Sequence, residues 1–149
     1  MLEHRFSFTT ITSVFVVFDE TLLSHRLHDD DDWWTIFMDE PFEVNAGNMM
    51  LVLIHSDGIY DVTVHEHPVD DSESINCYVR CASGAMCLGP GEMLPGGDLG
   101  ALKKYGGTIN LPIGNYLVNV ARTGDSALAV CFVPTDAEAR NSFKGPQEV

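Results

Sequence analysis

The sequence predicts an all-β fold: a single-domain β-sandwich or jelly roll of about eight strands, with one long Gly/Pro-rich loop and a short C-terminal helix. Three observations predict it. Apolar residues alternate or bunch in short runs, which is the period of strands and not of helices. Turn-forming clusters recur between those runs at short intervals. The stretch Leu88 to Gly107 holds seven glycines and two prolines, a composition that belongs to a surface loop.

The elements follow in order. His4 to Phe18 is rich in Phe, Thr and Val and reads as one long strand or a bent pair. Thr35 to Val44 and Met49 to His55 read as two more strands, separated by the turn Asn45-Ala46-Gly47-Asn48. Ser56-Asp57-Gly58 is a tight connection into Ile59 to His67. Ile75 to Ala82, Ala85 to Leu88, Thr108 to Leu111, Tyr116 to Arg122 and Leu128 to Val133 continue the pattern. Ser83-Gly84, Pro112-Ile113-Gly114-Asn115 and Thr123-Gly124-Asp125 supply the turns between them. At Thr135 to Phe143, Thr135 stands three residues before Glu138, the capping-box spacing, and this predicts the short helix.

A chain of 149 residues fits one domain, which buries roughly 70% of its unfolded surface. With 45% apolar residues the chain folds despite a net charge of -14, so it is no disordered acidic tail. The longest apolar run, Val14 to Phe18, is far too short for a membrane-spanning helix. Glu3 and Arg5 precede a Thr/Ser-rich alternation with no small-residue cleavage site, so the expectation is a cytoplasmic protein. Cys77, Cys81, Cys87 and Cys131 are then expected to be free, buried thiols.

Charge is distributed unevenly. Between Arg26 and Arg80 there is no Lys or Arg, yet there are thirteen carboxylates. Such a segment repels nucleic acid and anionic lipid and attracts a basic protein. Asp29, Asp30, Asp31 and Asp32 lead directly into Trp33 and Trp34, joining long-range steering to residues that dominate interfaces. Neighbours on a strand point to opposite faces, so one Trp is expected in the core and the other at the surface. Asp57, Asp61, Asp70, Asp71 and Glu73 are the further candidates for contact with a partner.

Other chemistry finds less support. His65 and His67 share one face of a strand and, with Glu73, could form a cupin-like metal site beside the turn glycines Gly58, Gly106 and Gly114. The spacings are too long, however, and Leu117 stands where a third histidine ligand would be needed. Asp29 to Asp32 lack the alternation and the glycine of a calcium loop. Ser74, Ser83 and Ser126 have no nucleophile-elbow context, and no phosphate-binding or dinucleotide fingerprint occurs. The expectation is therefore no catalytic residue, no cofactor, and no binding of nucleic acid or membrane.

Phe15-Val16-Val17-Phe18-Asp19, the Trp33-Trp34 region, Phe42 to Asn48 and the hairpin Ile109-Asn110-Leu111-Pro112-Ile113-Gly114-Asn115-Tyr116 occur in an order that resembles the bacterial competence-type nuclease inhibitors (ComJ-like proteins) and related toxin-immunity β-sandwiches. The loop Leu88 to Gly107 departs from that pattern. The resemblance implies an acidic inhibitor or immunity protein, not an enzyme, that blocks a basic nuclease-type toxin. A nuclease must hold phosphate in a positive cleft, and an array of carboxylates can occupy such a cleft.

Overall fold

The computed structural model describes residues 4–35, 38–68, 73–98 and 106–149. Two five-stranded sheets face each other. The first runs β1 (His4–Thr10), β4 (Gly58–His65), β9 (Ala127–Thr135), β8 (Gly114–Gly124) and β5 (Ser74–Cys81). The second runs β10 (Gln147–Glu148), β3 (Met49–Leu53), β2 (Val14–Phe18), β6 (Ala85–Pro90) and β7 (Gly107–Asn110). Neighbours are antiparallel except for β4 with β9 and β10 with β3. The fold is an all-β sandwich, as the alternation predicts.

The bent pair expected at the amino end is real. A turn with Ser13 at φ 56° sends β1 into one sheet and β2 into the other. Between the sheets Phe8 stacks on Phe15 with ring centres 5.5 Å apart, and Tyr60 stacks on Phe8 at 5.6 Å. Because Phe15 points into the sandwich, Val14, Val16 and Phe18 must point out of it. All five residues of β2 are nevertheless buried. A strand apolar on both faces needs a cover on each. Here the outer cover is built by residues 19–35 and 38–48.

That cover is helical, and it corrects the strand expected at Thr35 to Val44. Trp33–Thr35 is a 3₁₀ turn and Asp39–Asn45 is a helix, α1; residues 36 and 37 lie outside the described set. Glu40, Glu43 and Val44 are the buried positions, a helical spacing of three and four. Asp39 and Glu40 suit the positive end of the helix, and Pro41 sits in the first turn, where its missing N–H costs nothing. The turn Asn45 to Asn48 is present, but it joins a helix to β3.

The C-terminal helix does not form. Thr135 ends β9, and its hydroxyl accepts only the Ala137 N–H, at 3.1 Å. The chain then runs irregularly along the open side of the sandwich. Asn141 bonds both the N–H and the carbonyl of Tyr78, while Asn45 bonds both the carbonyl and the N–H of Phe143. The first pair satisfies both backbone groups of Tyr78 on edge strand β5, the second fastens the segment to the end of α1, and this tertiary pairing overrides a local capping signal.

The long loop is also shorter than expected. β6 continues to Pro90, Gly91–Met93 forms a 3₁₀ turn, and Met93, Leu94, Pro95 and Gly96 are buried. Residues 99–105 lie outside the described set.

Asp19 ties the helical cover to the sandwich. Its carboxylate accepts the N–H groups of Thr21, Ala82 and Ser83 and the hydroxyls of Thr21 and Ser83, at 2.7 to 3.0 Å. Burial pushes its pKa upward, but the bonds from Ser83, Thr21 and Ala82 outweigh burial and hold it below the usual carboxylate range. Asp19→Ala leaves three N–H groups without this acceptor and should cost about 3 kcal/mol in urea unfolding. The difference from wild type should shrink as pH falls below the carboxylate range, where the wild-type group protonates.

Candidate partner-binding surface

The acidic loop is held by its backbone and presents its side chains outward. The carbonyl of Asp29 accepts the Gly97 N–H at 2.7 Å, and that of Asp30 accepts the Trp33 N–H at 3.1 Å. The carbonyl of Asp31 takes the Trp34 indole N–H at 3.1 Å, and that of Asp32 takes the N–H and hydroxyl of Thr35. All four carbonyls of the tetra-aspartate are thus engaged. Asp30, Asp31 and Asp32 are exposed, and Asp29 is half-buried. At the loop's start, the Leu27 carbonyl accepts the Asp98 N–H at 2.8 Å, so two strands of loop run against each other.

Both tryptophans are buried, at 1% exposure for Trp33 and 8% for Trp34, which corrects the expected exposed indole. The alternation argument fails because they lie in a 3₁₀ turn, not on a strand. The Trp33 indole donates to the Pro95 carbonyl at 2.6 Å. The Trp34 ring lies over Gly91 and Val14, so close that a Cβ at Gly91 would fall 2.8 Å from it. Gly96 likewise backs onto Asp30, Asp31 and Trp33, and a Cβ there would fall only 3.0 Å from the Asp30 carbonyl oxygen and the Asp31 Cα.

Arg26 lies behind the loop. It is 13% exposed, stacks 4.6 Å above the Trp33 ring centre, and reaches Glu43 at 2.7 Å, Asp29 at 3.2 Å and Asp39 at 3.4 Å. Its charge is spent inward, so Asp30, Asp31 and Asp32 face solvent uncompensated by it. Glu43 is fully buried and is bonded by Arg26, His25 and Asn48. Burial pushes its pKa up, and the bonds from Asn48, His25 and Arg26 overcome that and lower it.

The remaining acidic candidates occupy separate elements. Asp57 accepts the Ser13 hydroxyl at 2.6 Å beside the β1–β2 turn, and Asp61 on β4 accepts that of Ser7 at 2.6 Å. Glu73 immediately precedes β5, which is separated from β4 by β9 and β8. Asp70 and Asp71 lie outside the described residues. His65 ends β4 half-buried, and His67 is exposed beyond it. Among the described residues, no three His, Cys, Asp or Glu side chains are grouped to hold a metal ion.

Next to the acidic loop, α1 carries features that its reading as a strand concealed. Met38, at its N-cap, is 67% exposed and Phe42 is 65% exposed. They line an open depression of about 580 Å³ with Pro41 and Phe143. Glu40, in contrast, is 3% exposed, and among the described residues neither of its oxygens has a hydrogen-bond partner. Burial alone pushes its pKa up to about 7, and the nearby Cys77 thiol is pushed to about 12, first by burial and then by Glu40.

These features define a sandwich with a helical cover that presents a backbone-bonded acidic loop beside a short helix with exposed Met38 and Phe42. The chain belongs to a family of unknown function, DUF6386, whose model matches residues 1–149. No curated protein sequence matches it. Among solved structures it is similar to "Crocagin biosynthetic gene J", at 13% identity and a TM-score of 0.56, over 90% of this chain and 99% of that one. It is also similar to ComJ of Bacillus subtilis, described as an inhibitor of the DNA-degrading activity of NucA. There the identity is 10% and the TM-score 0.55, over 89% of this chain and 96% of that one. The resemblance expected from the order of elements therefore holds at the level of the fold.

The unpaired Glu40 has a measurable consequence. In the folded protein it keeps its proton up to about pH 7, against 4.5 when unfolded. The native state holds the extra proton between those values, so this group lowers stability as pH rises through that window. Glu40→Gln should be more stable than wild type by about 2 kcal/mol near pH 8, less than the full shift because relaxation and solvent relieve part of it. The gain should vanish below the unfolded pKa in urea titrations. Asp19 and Glu43 act in the opposite sense and at lower pH, so the effects separate.

Proposed function

We propose that this protein is an inhibitor or immunity protein that binds a basic, nuclease-type protein through the acidic loop and α1, and blocks its substrate cleft. The observation that carries this reading is the juxtaposition of exposed Asp30, Asp31 and Asp32 with exposed Met38 and Phe42 on the next element. Carboxylates around an exposed aromatic combine electrostatic steering with an anchor that can be desolvated, the arrangement of a hot spot with a polar rim. The similarity in fold to a nuclease inhibitor supports the choice of partner class. The net charge of -14 supports its sign.

The backbone bonds of the loop matter here. A loop whose carbonyls are already engaged loses little conformational entropy on binding, so its side chains meet the partner pre-organised. The paired carboxylates Asp29, Asp39 and Glu43 hold Arg26 and Trp33 in place, and the unpaired ones make the contact.

The test begins with capture of the partner from the native host, followed by an assay of its nuclease activity. Replacing Asp29 to Asp32 together by Asn should slow association about tenfold at low salt and flatten its salt dependence. Phe42→Ala should leave association unchanged and speed dissociation, at a cost of about 2 kcal/mol. Binding kinetics that match wild type in both variants would remove this surface from the interface. A captured partner without nuclease activity would remove the nuclease assignment.

A further inference from the structure

Two glutamates on one helical turn of α1 are both buried, and they are treated in opposite ways. Glu43 has three side-chain partners, while Glu40 has none among the described residues. Leaving a carboxyl buried without a donor is costly, and native structures seldom do so without a functional reason. Glu40 also lines a half-open cavity of about 510 Å³ walled by Val14, Trp34, Leu51, Leu53 and Pro146. The cavity lies between the outer face of β2 and β3 and the start of α1.

The geometry points to this cavity as a receptor for one lysine or arginine side chain of the partner, with Glu40 taking its cationic head. This rests on the reading above, that the partner is a basic protein. Long cationic side chains are amphipathic: an aliphatic stem gains by lying against apolar walls, and the charged head needs an acceptor. Val14, Leu51, Leu53 and the Trp34 ring supply the walls, and Glu40 is the acidic side chain that lines the same space. Its oxygens are covered by the surrounding structure, so the head group reaches them when the flexible Glu40 side chain rotates toward the cavity. The same helix carries Phe42 and Met38 on its exposed side, so pocket and anchors belong to one docking element. Burial keeps the free site protonated near neutrality, and an arriving cation offsets the cost of ionising it.

Lys144, exposed at the cavity, provides an internal control. It is a like charge to the proposed occupant. Removing it should strengthen capture of a cation and weaken capture of an anion.

The experiment titrates the protein with n-butylguanidinium and n-butylammonium, with n-butanol and butyrate as neutral and anionic counterparts. The readout is the indole N–H resonance of each tryptophan. The Trp34 signal should move saturably with both cations while that of Trp33, sealed against Pro95, stays in place. Glu40→Gln should weaken cation binding about tenfold or more, and Lys144→Gln should tighten it several-fold. Glu40→Leu provides a second variant should the amide disturb the fold. Equal binding of butanol, preference for butyrate, unchanged affinity in Glu40→Gln, or no movement of Trp34 would each overturn the assignment. Kinetics against the captured partner then separate the two proposals. If Glu40→Gln binds it as wild type does while losing the small cations, the pocket serves free amines and not a partner side chain. Failure of the Asp and Phe42 variants to alter binding would instead remove the docking surface, whatever the small cations do.

Discussion

The seating of Trp33 and Trp34 on the Gly91–Gly97 segment is the contact on which the other features depend. Strand β2 is buried on both faces, and its outer face can be dry only if something large covers it. Trp34 lies beside Val14 on that outer face, and the two indoles seat closely because Gly91 and Gly96 leave room for them. A side chain at Gly91 would strike the Trp34 ring, and one at Gly96 would strike Trp33 and the backbone of the acidic loop. The segment that composition marks as an irregular surface loop is thus a close-packed floor. Its glycines serve approach of backbone to aromatic ring, and its carbonyl at Pro95 receives the Trp33 N–H.

From that seating follows the division of charge. Trp33 offers a face to Arg26, and Arg26 gathers Asp29, Asp39 and Glu43 around it. A guanidinium with five donors in a fixed plane can serve three carboxylates where an ammonium would serve them less well. The acidic segment therefore has an inner set of acids gathered around Arg26, and an outer set without that compensation. Folding depends on the first set. The proposed recognition uses the second.

The sandwich was readable in the sequence because alternation and turn residues are local signals, and they placed most strands of both sheets. The cover was not. Trp33 to Val44 contains bulky residues that fit either period, and the helical register of Glu40, Glu43 and Val44 is hidden by the fact that two of its three buried positions are acids. A buried glutamate has no sequence signature until its partner is known, and among the described residues Glu40 has none. The helix expected at Thr135 to Phe143 failed for the converse reason. Its capping signal is local, but Asn141 and Phe143 are committed to Tyr78 and Asn45 far away in sequence. Acidic residues such as Asp57 and Asp61 could be named as candidates, but their separation from the tetra-aspartate is set by topology, which composition does not carry.

Self-repulsion among Asp29 to Asp32 would ordinarily favour an extended, fluctuating chain. Here the cost falls on side chains and not on the backbone, since each of the four carbonyls has its own donor and Gly97 and Asp98 clamp the loop from the other side. Asp30, Asp31 and Asp32 lack the compensation that Arg26 gives Asp29, and Glu40 answers its burial by holding its proton up to about pH 7, so both features favour an incoming positive charge. In the proposed complex the first would act at long range across solvent and the second at contact inside the apolar pocket. A basic partner would be attracted by the first and held by the second, which assigns the two sites to different steps of one association.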